Sequence, residues 1–244
     1  MKDNPVTGFN YLIQGFQLMA RPGLRLFVLI PLAINMIIFS ILISLSMAQF
    51  SDWIEAIMRW VPDWLALIRW LLWPLAVILI LTVVMYSFSL ITNMIAAPFN
   101  GLLAEKTEAL LTGEEVPGFE TTAQAFLSFP KSMGRELAKL LYYIPLALVV
   151  LAISFIPLIN TLAPLLWFLL GSWMMVIQYC DYPMDNHRAS FAEMKQRIKQ
   201  KRLTSTGFGA GVMLGTMIPL VNLVIMPAAV CGATAYWVTA MKYH

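Results

Sequence analysis

Arg21-Pro22-Gly23-Leu24-Arg25 brings together, in five residues, the parts of an anion site. Pro22 and Gly23 turn the chain just ahead of a long apolar run, so a helix is expected to begin there. The first amides of a helix lack intrahelical partners, and the dipole favours negative charge at that end. Gly23 allows close approach. Arg25 can offer two parallel donors to a tetrahedral oxyanion, with Arg21 as a second cation. The same arginines also suit a plainer task, anchoring the helix to lipid headgroups.

Two other polar sets flank apolar runs. In Asn100-Gly101-Leu102-Leu103-Ala104-Glu105, Pro98 and Gly101 are expected to break one helix. Asn100 would then cap the next, with Glu105 in its first or second turn. Leu102, Leu103, Leu110 and Leu111 form the expected apolar face of this segment, and Glu105, Lys106 and Glu108 the wet one. Asp181, Asp185, Asn186 and His187 cluster after a later apolar run, either as a turn with side-chain hydrogen bonds or as a polar network holding the run's ends. Asn100, Glu105 and Asp181 are candidate gate or proton-responsive residues. Lys195, Arg197, Lys199, Lys201 and Arg202 suit anionic lipid, or an electrostatic funnel for anions. Nucleic-acid binding is not expected in this setting.

Enzyme chemistry finds no support. There is no Gly-rich phosphate loop, nucleophile elbow or supported Ser-His-Asp set. Only His187 and His244 are histidines, and no Cys/His spacing suggests a metal. Cys180 and Cys231 read as small buried residues. No cofactor is implied.

The elements that must position these residues are membrane helices. Of 244 residues, 60% are hydrophobic and 12% charged, against about 25% charged in soluble domains. Mean hydropathy is +0.76. No charge occurs in Leu26–Ser51, Trp70–Ala104, Leu140–Cys180 or Leu203–Ala240, which identifies an integral membrane protein. No cleavable signal peptide is evident, so the first spanning helix is expected to drive insertion.

The expected order starts with an interfacial amphipathic helix at 6–22, its apolar face Phe9, Leu12, Ile13, Phe16 and Met19. A transmembrane helix at 24–49 follows, then an external Trp-rich interfacial segment at 50–70 and a second transmembrane helix at 71–98. A cytoplasmic helical segment spans 100–139, with a solvated turn at 114–118. Apolar hairpin 1 is at 140–180, a basic cytoplasmic segment at 181–206, and apolar hairpin 2 at 207–241.

The hairpins share a tip motif. Ile156-Pro157-Leu158-Ile159-Asn160 returns as Ile218-Pro219-Leu220-Val221-Asn222, and Pro164 and Pro227 follow. Proline and asparagine mark a turn in each. Two full crossings need ~20 residues apiece plus a turn, and hairpin 1 has an uncharged run just short of that. The first leg of hairpin 2 is shorter still. Both are read as re-entrant, and paired interrupted segments point to a transport pathway. Backbone turned at mid-membrane depth needs cover from protein or a water-filled cavity, which argues for a homo-oligomer or a central vestibule. All of the 16 Lys and Arg residues except Arg59 and Arg69 then fall on one face, the cytoplasmic one. The fold class is thus an all-α integral membrane protein, a single membrane domain with two full spans, two re-entrant hairpins and the interfacial helix.

At these motifs the chain resembles the CysZ family of bacterial sulfate permeases. The resemblance rests on residues 96–105 (AAPFNGLLAE), 177–183 (IQYCDYP) and 226–234 (MPAAVCGAT), with Pro62-Asp63-Trp64-Leu65 and Pro22-Gly23-Leu24-Arg25 also fitting. It covers nearly the whole chain. It implies a multi-pass bacterial inner-membrane protein admitting sulfate for assimilation into cysteine, with uptake described as proton-dependent. The family's sulfate site falls on Gly23, Leu24 and Arg25. Family members often carry a second arginine directly after the one matching Arg25; here Leu26 stands there, and Arg21 is the nearby cation. The competing reading is a non-transporting scaffold or a regulator of another permease, and flux into liposomes holding only this protein separates the two.

Overall fold

The computed structural model describes residues 3–62, 69–114 and 129–242. Asp63-Trp64-Leu65, most of the expected 114–118 turn and His244 lie outside them. Eight α-helices follow in order among the described residues: α1 Pro5–Met19, α2 Arg25–Arg59, α3 Arg69–Thr112, α4 Phe129–Ser154, α5 Ala163–Asn186, α6 Phe191–Gln200, α7 Arg202–Thr216 and α8 Pro219–Ala240. A 3-10 turn, Asn160–Leu162, precedes α5. Among the described residues, three stretches are long and apolar enough to cross a membrane: Arg25–Arg59, Gly134–Ser154 and Asn160–Asn186.

Two units are distinct. One, Leu29–Ala97, holds most of α2 and the first part of α3. Its small core of Ile54, Ala76 and Ile80 is flanked by Phe50, Trp53, Ile57, Met58, Val77 and Val84. Most of its other large apolar side chains, Met36, Ile37, Leu45, Ile78 and Met85 among them, are exposed, as suits lipid contact. The helix α2 does not stop near residue 49. It continues through Ser51 and Trp53 to Arg59.

The other unit comprises Met1–Val28 and Pro98–His244. Two helix-turn-helix connections follow one another in this unit. The chain leaves α4 at Ser154, turns through Phe155–Ile159 and enters α5; it leaves α7 at Thr216 and enters α8 at Pro219. At the first tip Leu158 adopts φ +72°, a left-handed backbone that is unfavourable for a non-glycine residue. The legs of hairpin 1 run past the uncharged window. At 26 and 24 residues they are about 39 and 36 Å long, so leg length by itself does not forbid crossing.

Helix α1 covers Pro5–Met19, and its buried face is Gly8, Tyr11, Leu12, Gly15 and Leu18, while Phe9 and Ile13 are 46% and 43% exposed. The reason is backbone contact. A Cβ on Gly8 would strike the Thr204 carbonyl and the Phe208 amide, and one on Gly15 the Ala228 carbonyl and the Gly232 amide. Glycine thus lets α1 lie directly on α7 and α8. Tyr11 Oη and Thr239 Oγ1 close that contact at 2.8 Å.

The expected break at Pro98–Gly101 does not form, since α3 runs unbroken to Thr112. Asn100 is therefore no cap, and Glu105 lies mid-helix. The expected faces hold only in part: Leu102 and Leu103 are buried and Lys106 is exposed, but Glu105 and Glu108 are buried at 6% and 0% exposure and Leu110 is 44% exposed.

Candidate functional site

The turn between α1 and α2 contains the first candidate set. Arg21, Pro22, Gly23 and Arg25 are exposed, and Leu24 between them is 1% exposed, seated in the main core. Leu24 thus pins the turn by burial while its neighbours face outward. The Leu24 and Arg25 amides donate to the Arg21 carbonyl at 2.9 and 3.0 Å. These two donors are occupied, which leaves the guanidinium groups as the strong anion donors of the turn. A Cβ on Gly23 would meet nothing within 4 Å, so approach to the turn is open.

The second set is buried and ionic. Two cations project from α4 and two acids from α5. Arg135 donates through Nε to Asp181 Oδ1 at 3.0 Å, and its Nη2 makes a still closer contact to that oxygen. Its Nη1 reaches the Ala189 carbonyl at 2.8 Å and Asp185 Oδ1 at 3.1 Å. Lys139, 4% exposed, contacts Asp181 Oδ2 at 2.9 Å, Glu136 Oε1 at 2.7 Å and Gln178 Oε1 at 3.1 Å. Asp181 therefore has a cation on each carboxylate oxygen. The chain of contacts goes on from Gln178 Nε2 to Tyr182 Oη at 3.5 Å, and Asn100 Nδ2 donates to the same hydroxyl at 3.3 Å. Asn186 Nδ2 donates to the Gly101 carbonyl at 3.1 Å. Asn100 and Asp181, 81 positions apart in sequence, are so joined through Tyr182, Gln178 and Lys139. Glu105 pairs with Lys106 at 3.1 Å.

A third set was not foreseen. Glu108 is fully buried, with His187 Nε2 at 2.9 Å from both carboxylate oxygens and Lys242 Nζ at 2.9 Å. The His187 ring lies 5.5 Å from that of Trp237, over which Arg197 stacks at 5.1 Å. Arg197 also pairs with Glu193, and Lys195 lies over Tyr142. Part of the basic cluster is thus committed to contacts within the protein, and Lys199 and Arg202 are exposed.

Arg135 and Lys139 also escaped the reading of the sequence, although a signal existed. They are four residues apart, as are Asp181 and Asp185, so each pair shares a helix face. One pair enters hairpin 1 and the other leaves it, with opposite sign. Glu108 gave no such signal because its partners come from two remote elements.

A family model described as Sulfate transporter CysZ/Etoposide-induced protein 2.4 matches residues 11–227. A relative in Pseudomonas paraeruginosa, named Sulfate transporter CysZ, is 48% identical over 234 residues, covering 96% of this chain and 95% of its own. Two relatives of the same name in strains of Pseudomonas aeruginosa match to the same extent. This chain belongs to the Sulfate transporter CysZ/Etoposide-induced protein 2.4 family.

Proposed function

We propose that this chain is a multi-pass sulfate uptake protein of the bacterial inner membrane, supplying sulfate for cysteine synthesis, and that it is not an enzyme. The observation that carries this is the 48% identity, over 96% of the chain, to relatives named sulfate transporters. Sulfate docks at the turn of Arg21, Gly23, Leu24 and Arg25. Arg25 supplies two parallel charge-assisted donors, Arg21 a further cation, Gly23 an open approach and Leu24 the anchor. Asn100 and Asp181 act as a gate through the network that joins them, and Glu105 is a proton-responsive candidate.

The arrangement proposed is two full spans, α2 and α3, with α4–α5 and α7–α8 as re-entrant hairpins and homo-oligomeric contacts covering their tips. The supporting argument is apolar depth. From Lys139 to Ser154 the helix rises about 22 Å, and α7 about 22 Å in all, against ~30 Å of hydrocarbon. The first tip exposes Phe155 at 79% and Leu158 at 93% and has no charge across 155–163, a surface suited to an apolar medium.

Radiolabelled sulfate uptake into proteoliposomes, wild type beside Arg25→Ala, tests the reading. Uptake that drops in the variant supports transport and the site. Equal uptake discards the site, and none by a folded wild type favours the scaffold or regulator reading.

A further inference from the structure

The five cations from Lys195 to Arg202 are only partly engaged by the fold. Lys195 lies over the rings of Tyr142 and Phe191 at 4.7 and 4.9 Å. Arg197 pairs with Glu193 and donates to the Met241 carbonyl. Asp3 accepts from the Leu203 and Thr204 amides at 3.2 and 2.7 Å, and the charge of Lys201 acts on its carboxylate. That leaves Lys199 and Arg202. Both are exposed, and neither meets a carboxylate among the described residues.

Arg202 is also the last charge before the uncharged run Leu203–Ala240, and an exposed apolar rib begins beside it. The Asn4 amide donates to Thr204 Oγ1 at 3.1 Å, and a Cβ on Gly207 would strike the Pro5 carbonyl. The start of α1 thus lies on the start of α7. Val6, Phe9 and Ile13 of α1 are exposed, as are Leu203, Leu214 and Met217 of α7. From 203 to 217 the helix rises about 21 Å, more than half of the ~30 Å hydrocarbon core. Two cations without countercharge at the head of an apolar surface match an amphiphile with an anionic head. Arg202 can give a phosphate two parallel donors, and Lys199 adds a point charge. A zwitterionic head would bring its own ammonium toward these cations, and a soluble anion would make no use of the rib.

We infer that the start of α7 is a docking site for an anionic phospholipid, with its phosphate on Arg202 and Lys199 and an acyl chain along Leu203, Val6 and Phe9. Such a lipid holds the paired starts of α1 and α7 at the membrane boundary and ties their anchoring to the anionic lipid content of the bilayer. The inference rests on the bilayer placement of these helices but not on sulfate transport.

The test is native mass spectrometry of the full chain, purified and offered phosphatidylglycerol or phosphatidylcholine of matched chain length. Wild type should retain phosphatidylglycerol roughly fivefold more, the scale of one Lys or Arg beside an anionic surface. The double variant Lys199→Gln with Arg202→Gln should lose that preference, and Lys195→Gln should keep it. Val6→Ser, which interrupts the rib at an exposed position, should lower retention of both lipids. Equal retention of the two lipids by wild type overturns the inference, as does a preference that survives the double variant. A loss that Lys195→Gln shares equally marks diffuse attraction to the whole basic run and overturns the assignment to Lys199 and Arg202. Inorganic phosphate that displaces the lipid marks a site for the free anion and overturns the lipid assignment. A wild type that inserts into vesicles yet retains no lipid overturns it while leaving the membrane reading intact.

Discussion

Asp181 holds two cations at once, Lys139 buried and Arg135 partly so, and this asymmetry sets what its loss does. Replacing it leaves Arg135 and Lys139, 13% and 4% exposed at the side chain, with less countercharge than they need, and an uncompensated buried charge costs about 3–5 kcal/mol. Asp181→Ala should lose stability on that scale in denaturant titrations of the detergent-solubilised protein. The exposed pair Glu55–Arg59 offers a control, and Glu55→Ala should change little. Asp3 gives a pH dependence of determined sign. Burial by itself would raise its pKa, but the Thr204 and Leu203 amides it accepts from at 2.7 and 3.2 Å, the Thr204 hydroxyl and the charge of Lys201 hold it below 3.8. A depressed folded pKa means the cap on α7 contributes fully above pH 3.8 and is lost as pH falls through the folded value. Amide exchange at Leu203 and Thr204 should therefore accelerate in acid beyond its intrinsic rate, and Asp3→Asn should remove that acid step.

At the scale of elements, two glycines separate fold from function. Gly15 lies against the α8 backbone, whereas Gly23 has open space where a Cβ would go. Gly15→Leu should force α1 off α8, with a loss of more than about 3 kcal/mol, visible as protease cleavage within Pro5–Met19. Gly23→Ala should stay within about 0.5 kcal/mol of wild type while lowering sulfate affinity in equilibrium binding, if the turn is the site proposed. Such contacts explain what was legible in the sequence. The helix-turn-helix tips could be read because Pro157 with Asn160, and Pro219 with Asn222, act through local chemistry. The buried face of α1 could not, because apolar periodicity weights Phe9 and Ile13 and gives Gly8 and Gly15 no weight, although the glycines admit the neighbouring backbone. The break at Pro98–Gly101 was read from local propensity, and the burial of Leu102, Leu103 and Ala104 against the rest of their unit holds the helix on. Asn100 and Asp181 stood out as polar residues beside apolar runs. Glu108 was misjudged, since a buried carboxylate is told from a wet one only by partners such as His187 and Lys242, remote in sequence.

For the whole molecule, depth in the membrane is decided at the first tip. Leu158 is 93% exposed, among Phe155, Ile156 and Ile159, which are also exposed. A hairpin that crosses fully would present these side chains to water or headgroups on the far side. A re-entrant one keeps them in hydrocarbon or against another subunit, where backbone turned away from helix still needs cover. The two native thiols, Cys180 and Cys231, are free and buried, so an introduced cysteine reports without much background. Leu158→Cys should resist a membrane-impermeant maleimide applied from outside intact cells and react with a permeant one. Trp60→Cys, at an 89% exposed position expected on the outer face, should react with both and serves as the positive control. Rapid impermeant labelling at 158 from outside would make hairpin 1 a pair of full spans. The Arg135–Asp181–Lys139 cluster would then remain at the cytoplasmic end of a complete crossing, because the positive-inside distribution is the same in both arrangements. Protection at 158 with labelling at 60 would leave α2 and α3 as the crossing helices and put the tip of the ion-anchored hairpin within the membrane.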